Sequence, residues 1–164
     1  MRPMHVLIAL FTACLLALAP ASAQDFPEID WLELMPEDEI RMLEEMQGMI
    51  DHSGDAPAME FNSTRTVPEV DGRNGKIVGY IVPLSVNETN EILEFFLVPY
   101  FGACIHVPPP PPNQLIHVKA DKPIPMVNIW DPYWVEGSVH IRPIENSMAK
   151  ASYSMDPVRV VPYE

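Results

Sequence analysis

The sequence predicts a mainly β protein, a small barrel or sandwich preceded by one helical segment. Three observations carry that expectation. Short runs rich in β-branched and aromatic residues recur between Lys76 and Val161. Nineteen prolines and a set of Gly, Asn and Asp turns punctuate those runs, the spacing expected of short strands folded onto one core. Ahead of them, Ile40, Leu43 and Met46 recur at helical spacing.

The first residues read as an export signal. Arg2 and His5 form a short polar start, Val6 to Leu18 is apolar, and Ala21-Ser22-Ala23 supplies a small-residue cleavage site. The apolar run falls short of the ~20 residues a membrane-spanning helix needs, so cleavage after Ala23 is expected. Cys14 has apolar residues on both sides and is a poor candidate for a lipid-modified terminus. The expected organisation is a signal peptide over 1–23, an acidic, methionine-rich helical segment over 24–60 and a barrel domain over 61–164.

Charge narrows the range of functions. The chain carries 23 acidic against 10 basic residues, a net charge of −13, and every acidic residue lies after Ala23. Such a field repels nucleic acid and anionic membrane and attracts cations. No other apolar stretch is long enough to span a bilayer, so the mature chain is not expected to be an integral membrane protein.

The helix is predicted to begin at Pro36, with Glu37, Asp38 and Glu39 in its first turn favouring the positive end of the dipole. Residues 48–57, which include Gly48 and Gly54, end it in a loop. Met35, Met42, Met46 and Met49 suit either an adaptable packing face or soft copper(I) ligation. Beyond Phe61 the predicted strands are Lys76–Leu84, Glu91–Val98, Gln114–Lys119, Pro125–Trp130, Tyr133–Ile141, Lys150–Met155 and Val158–Val161. Pro108 to Pro112 lack backbone donors and are expected to run as polyproline II, a stiff flank for whatever precedes them.

What precedes them is Cys104 and, two residues on, His106. In an extended strand residues i and i+2 share a face, so thiol and imidazole would form a two-ligand bite for a soft or borderline metal. The same pair suits a redox or nucleophilic thiol. With Cys14 removed, Cys104 has no intramolecular disulfide partner. An exported lone thiol is buried, metal-bound, paired between chains or chemically used. Zinc-protease, calcium-loop, phosphate-loop and Gly-x-Ser-x-Gly patterns are all missing, so an enzyme is the lesser expectation. Asn62-Ser-Thr64 and Asn87-Glu-Thr89 match the glycosylation pattern but read as ordinary turn residues.

The stretch Glu94-Phe-Phe-Leu-Val-Pro-Tyr-Phe-Gly-Ala-Cys-Ile-His-Val followed by five prolines, Asn113 and Gln114 resembles the signature of a bacterial exported family of unknown function. Gly79–Leu84, Trp134–Gly137, Tyr153 with Val160–Tyr163, and Trp31–Pro36 extend the likeness over nearly the whole mature chain. The resemblance implies a periplasmic domain with an OB-like, five-stranded barrel and no established activity. Some members of that family look like accessories to metal-responsive ABC transport components. Glu94, Gly102, Cys104, His106, Pro108, Pro109, Asn113 and Gln114 belong to the signature.

If the proline loop closes a hairpin, residues 114–118 return beside 102–107 and bring His117 near Cys104. A one-residue slip would turn His117 to the other face. Cys104, His106 and His117, with Asn113, Gln114, water or a carboxylate as fourth donor, would suit zinc or copper. His52 and His140 are weaker candidates; in the thiol reading, with His106 as base to Cys104, Glu94 is a conceivable orienting carboxylate. The leading expectation is a periplasmic metal-binding accessory of metal uptake or trafficking. Its partner would be an inner-membrane ABC transport component or another periplasmic metal-binding protein. The alternative is a non-metal structural or protein-interaction module of the cell envelope, with a buried Cys/His core.

Overall fold

The computed structural model describes residues 25–49, 62–104 and 109–164. The export signal, His52, His106 and Pro108 lie outside the described residues. Helix α1 (Glu37–Met49) precedes the strands β1 (Arg73–Val86), β2 (Ile92–Val98), β3 (Ile116–Ile124), β4 (Tyr133–His140), β5 (Ile144–Glu145), β6 (Lys150–Ala151) and β7 (Tyr153–Pro162). Five of these strands close a barrel in the order β1-β2-β3-β7-β4, and β5 and β6 form a separate small hairpin. The protein is mainly β with a closed five-stranded barrel and an N-terminal helix, as its sequence leads one to expect.

Closure depends on the length of β1. Its first half, Arg73 to Gly79, pairs with β4, and its second half, Tyr80 to Val86, pairs with β2. Register shifts around Pro83 and Ser85 mark the irregularity, where proline removes a ladder donor and bulges curve the strand. The pairs β1–β2, β1–β4, β2–β3 and β4–β7 are antiparallel, while β3 and β7 run parallel. Ile77, Ile81, Phe95, Leu97, Ile116, Val118, Val135, Val139, Tyr153 and Met155 fill the interior.

A second apolar cluster lies on the other face of the same strands. Phe96 and Val98, which alternate with the interior Phe95 and Leu97, pack with Val82, Ala103, Leu115 and Ala151. This explains why β2 reads as a continuous apolar run: both of its faces are covered. The segment after β2 and the β5–β6 region supply that cover through Ala103, Leu115 and Ala151.

Three sequence expectations are corrected. Residues 125–130 form no strand; the Asn128 carbonyl accepts from Asp131 N, and its side chain accepts from Trp130 N and donates to Asp131. These local bonds make a turn, as Asn commonly does. The two runs expected at 150–155 and 158–161 are instead β6 and a single β7 that crosses Pro157. The ladder shifts between Glu136 and Gly137 there, and a Cβ on Gly137 would lie 2.2 Å from Asp156 O. Lastly, residues 116–118 of β3 pair with 95–97 of β2 on one edge and with 153–155 of β7 on the other, which takes both edges the expected hairpin would need. Gly102 and Cys104 have φ of 84° and 63°, left-handed values that interrupt an extended strand.

The N-terminal segment is built into the barrel. Ile29 N donates to Lys76 O and Lys76 N to Pro27 O, along the edge of β1. Ile29 and Leu34 are members of the interior cluster. A Cβ on Gly75 would lie 2.5 Å from Ile29 Cδ1, so this glycine admits the strap.

Candidate functional site

Cys104 occupies a turn at φ 63°, not the extended backbone that would align it with residue 106. It is half-buried against the outer apolar cluster, and that burial raises its thiol pKa above the ordinary value. Tyr100 is raised as well, first by burial and then by the neighbouring Cys104. Aliphatic and aromatic surroundings of this kind keep a thiol protonated and slow its chemistry.

His117 lies on β3 opposite Phe96 of β2 and beside Ser154 of β7. It is buried, and its Nε2 donates to Glu94 Oε1 at 2.5 Å. Glu94 is therefore the hydrogen-bond partner of His117. His140 continues the same row, opposite Ser154, with Nε2 3.2 Å from Asp156 Oδ2. Ser154 Oγ, between the two histidines, is buried and has no hydrogen-bond partner among the described residues. Among the described residues no group of three or more His, Cys, Asp or Glu side chains is arranged to hold a metal ion.

The polar end of the signature points elsewhere. Pro111, at φ −56° and ψ 149°, keeps the polyproline II shape, and Pro112 opens a short 3-10 turn over Pro112–Gln114. Asn113 is fully buried, and its Nδ2 donates to Glu39 Oε2 at 2.9 Å. Gln114 Nε2 donates to Trp31 O at 2.7 Å. The two amides that sequence reasoning offered as metal donors therefore hold the N-terminal segment. Asn113 N donates to Ser63 O, and Ser152 N to Pro112 O, which fixes the turn against both neighbours. Pro109 is exposed beside this turn.

Glu39 is the residue that sequence reasoning missed. A carboxylate in the first turn of a helix reads as a solvated dipole partner, yet Glu39 is only 3% exposed. It accepts from Ser63 Oγ at 2.7 Å and from Asn113, with Arg65 NH1 3.3 Å away. Tyr153 completes the arrangement: its hydroxyl donates to Leu34 O at 2.9 Å and accepts from Val67 N at 2.7 Å. Burial raises the phenol pKa above its ordinary value, so it remains a donor. No spacing rule relates residues 31–39 to 113 and 153; only the closed barrel brings them together.

A family model described as "Protein of unknown function (DUF3299)" matches residues 31–162. The chain belongs to that family. The match starts at Trp31, whose carbonyl receives Gln114, and ends at Pro162, the last residue of β7. Family membership therefore covers the strap and barrel as one unit. A crystal structure of a DUF3299 family protein from Pseudomonas aeruginosa PAO1 is similar, with 36% sequence identity and a TM-score of 0.68. The alignment covers 86% of this chain and 98% of that one. No curated protein matches the chain.

Proposed function

We propose that this DUF3299 chain is an exported, periplasmic protein-interaction module whose signature segment is scaffold. The observation that carries this reading is the use made of Asn113 and Gln114, whose amides bind Glu39 and the Trp31 carbonyl inside the protein. Cys104 packs against an apolar cluster, and His117 is engaged by Glu94. The strand order β1-β2-β3-β7-β4 with its parallel β3–β7 pair supports an OB-like reading of the barrel.

A metal reading has one observation in its favour. A non-glycine residue at positive φ, here Cys104, costs backbone energy and is often retained for function. In this reading Cys104 and His106 hold a zinc or copper ion that is passed to or from an inner-membrane ABC transporter or a second periplasmic metal-binding protein.

Metal content of untagged protein purified from the periplasm, wild type beside Cys104→Ser, separates the two readings. The interaction reading expects a metal-free protein that takes up neither zinc nor copper(I) stoichiometrically. One equivalent of metal, lost in Cys104→Ser, would replace it with the metal reading.

A further inference from the structure

Beside the Asn113–Glu39 contact lies a groove of about 620 Å³ between two walls, the strap at residues 32–40 and the segment 65–69. Its apolar surface comes from Leu32, Met35, Ile40, Val67 and Pro68. Leu32 is 53% exposed, a large aliphatic side chain left facing water at the groove. Glu33, Glu37 and Glu69 also line it. Glu33 is neutralised by Arg73, and Arg65, the one cation of the lining among the described residues, is engaged by Asp38 and Glu39. Among the described residues Glu37 and Glu69 make no ion pair. The groove therefore joins an apolar surface to uncompensated negative charge.

The walls are held in place. Tyr153 OH bonds to Leu34 O on one wall and Val67 N on the other. Glu39 on the first wall is bonded by Ser63 and approached by Arg65, which begins the second. Asn113 and Gln114 brace the first wall from behind through Glu39 and Trp31. A groove fixed in advance loses little entropy on binding.

We infer that this groove is the docking site for a partner protein, which inserts apolar side chains flanked by lysine or arginine. The inference deepens the interaction reading above and rests on it. Charge complementarity selects the occupant: Glu37 and Glu69 favour basic flanks, and a chain of net charge −13 steers a basic partner toward it. The same charge turns away an anionic lipid surface.

The test is titration of isotopically labelled full-length mature protein with a short peptide of alternating leucine and lysine. Amide NMR shifts locate the contact and fluorescence anisotropy measures affinity. The expected result is saturable binding with shifts confined to residues 32–40 and 65–69, weakening as salt rises. Leu32→Asp and Glu69→Lys should each weaken binding at least tenfold while thermal unfolding stays unchanged, since both side chains are exposed. A control peptide with serine in place of leucine should bind at least tenfold more weakly. Equal binding of the control would reduce the groove to diffuse charge attraction and overturn the inference. Shifts centred elsewhere, for instance on Trp130, would overturn the groove and leave the interaction reading standing. Absence of binding overturns the groove, whereas stoichiometric metal in the wild type overturns the reading beneath it.

Discussion

Asn113 and Glu39, 74 positions apart in the chain, meet inside the protein, where the amide Nδ2 donates to the carboxylate Oε2 at 2.9 Å. A buried carboxylate is costly unless its oxygens are hydrogen-bonded, and here Ser63 and Asn113 bind one oxygen each. The contact joins the first turn of α1 to the end of the proline segment. It gives the conspicuous Pro-Pro-Asn-Gln run a role in architecture.

Asn113→Ala should destabilise the protein by about 1–3 kcal/mol, because it leaves a buried carboxylate oxygen unpaired. Asn113→Asp should cost more, since it sets a second carboxylate against Glu39. Urea unfolding monitored by circular dichroism measures both. Equal stability of Asn113→Asp and wild type would refute the contact.

Tyr153→Phe should cost about 1–3 kcal/mol, because the phenyl ring still fills the core while Leu34 O and Val67 N lose their partner. Hydrogen exchange gives the sharper readout. The Val67 amide should lose protection while β4 amides keep theirs; unchanged protection at Val67 would rule the link out.

Iodoacetamide should label native Cys104 more slowly than a free thiol at pH 8, and at the free-thiol rate after denaturation. The cause is its half-buried setting and raised pKa, which lower the thiolate fraction. Labelling faster than the free thiol would instead mark an activated cysteine and revive the enzyme reading.

Glu136 is buried and accepts from Nε and NH2 of Arg159, each at 2.8 Å, which holds its carboxyl below the ordinary carboxylate range. A depressed folded pKa contributes stability that is present above the unfolded value of about 4.3 and lost as pH falls through the folded one. Arg159→Met should therefore be less stable than wild type near neutrality, with the gap closing below about pH 4. Thermal unfolding across that range checks the sign, and a gap that widens on acidification would contradict the pairing.

Gly137→Ala should destabilise by about 1–3 kcal/mol or more, since the added Cβ would sit 2.2 Å from a backbone oxygen of β7 that cannot rotate away. Neutral behaviour in a thermal melt would show that the bulge at Pro157 relaxes.

The sequence by itself determined the class of the fold and most of its strands. A backbone alternating β-branched and aromatic residues between proline and Asn/Gly turns satisfies its hydrogen bonds by pairing, and β1, β2, β3 and β4 follow that rule. It also marked where α1 begins, through Pro36 and three acidic residues. The residues 125–130 misled because their apolar content resembles a strand while Asn128 and Asp131 close a local turn. Tertiary structure alone decided the site. Whether His117 faces Cys104 or Glu94 is a question of register, and the pairing of β3 with β2 set it beside Glu94. Whether Glu39 is a solvated helix residue or a buried anchor depends on what closing the barrel places beside it. Local pattern encodes which bonds a segment can form with itself, but the partners of Asn113, Gln114 and Tyr153 lie across the chain, and only the folded topology selects them.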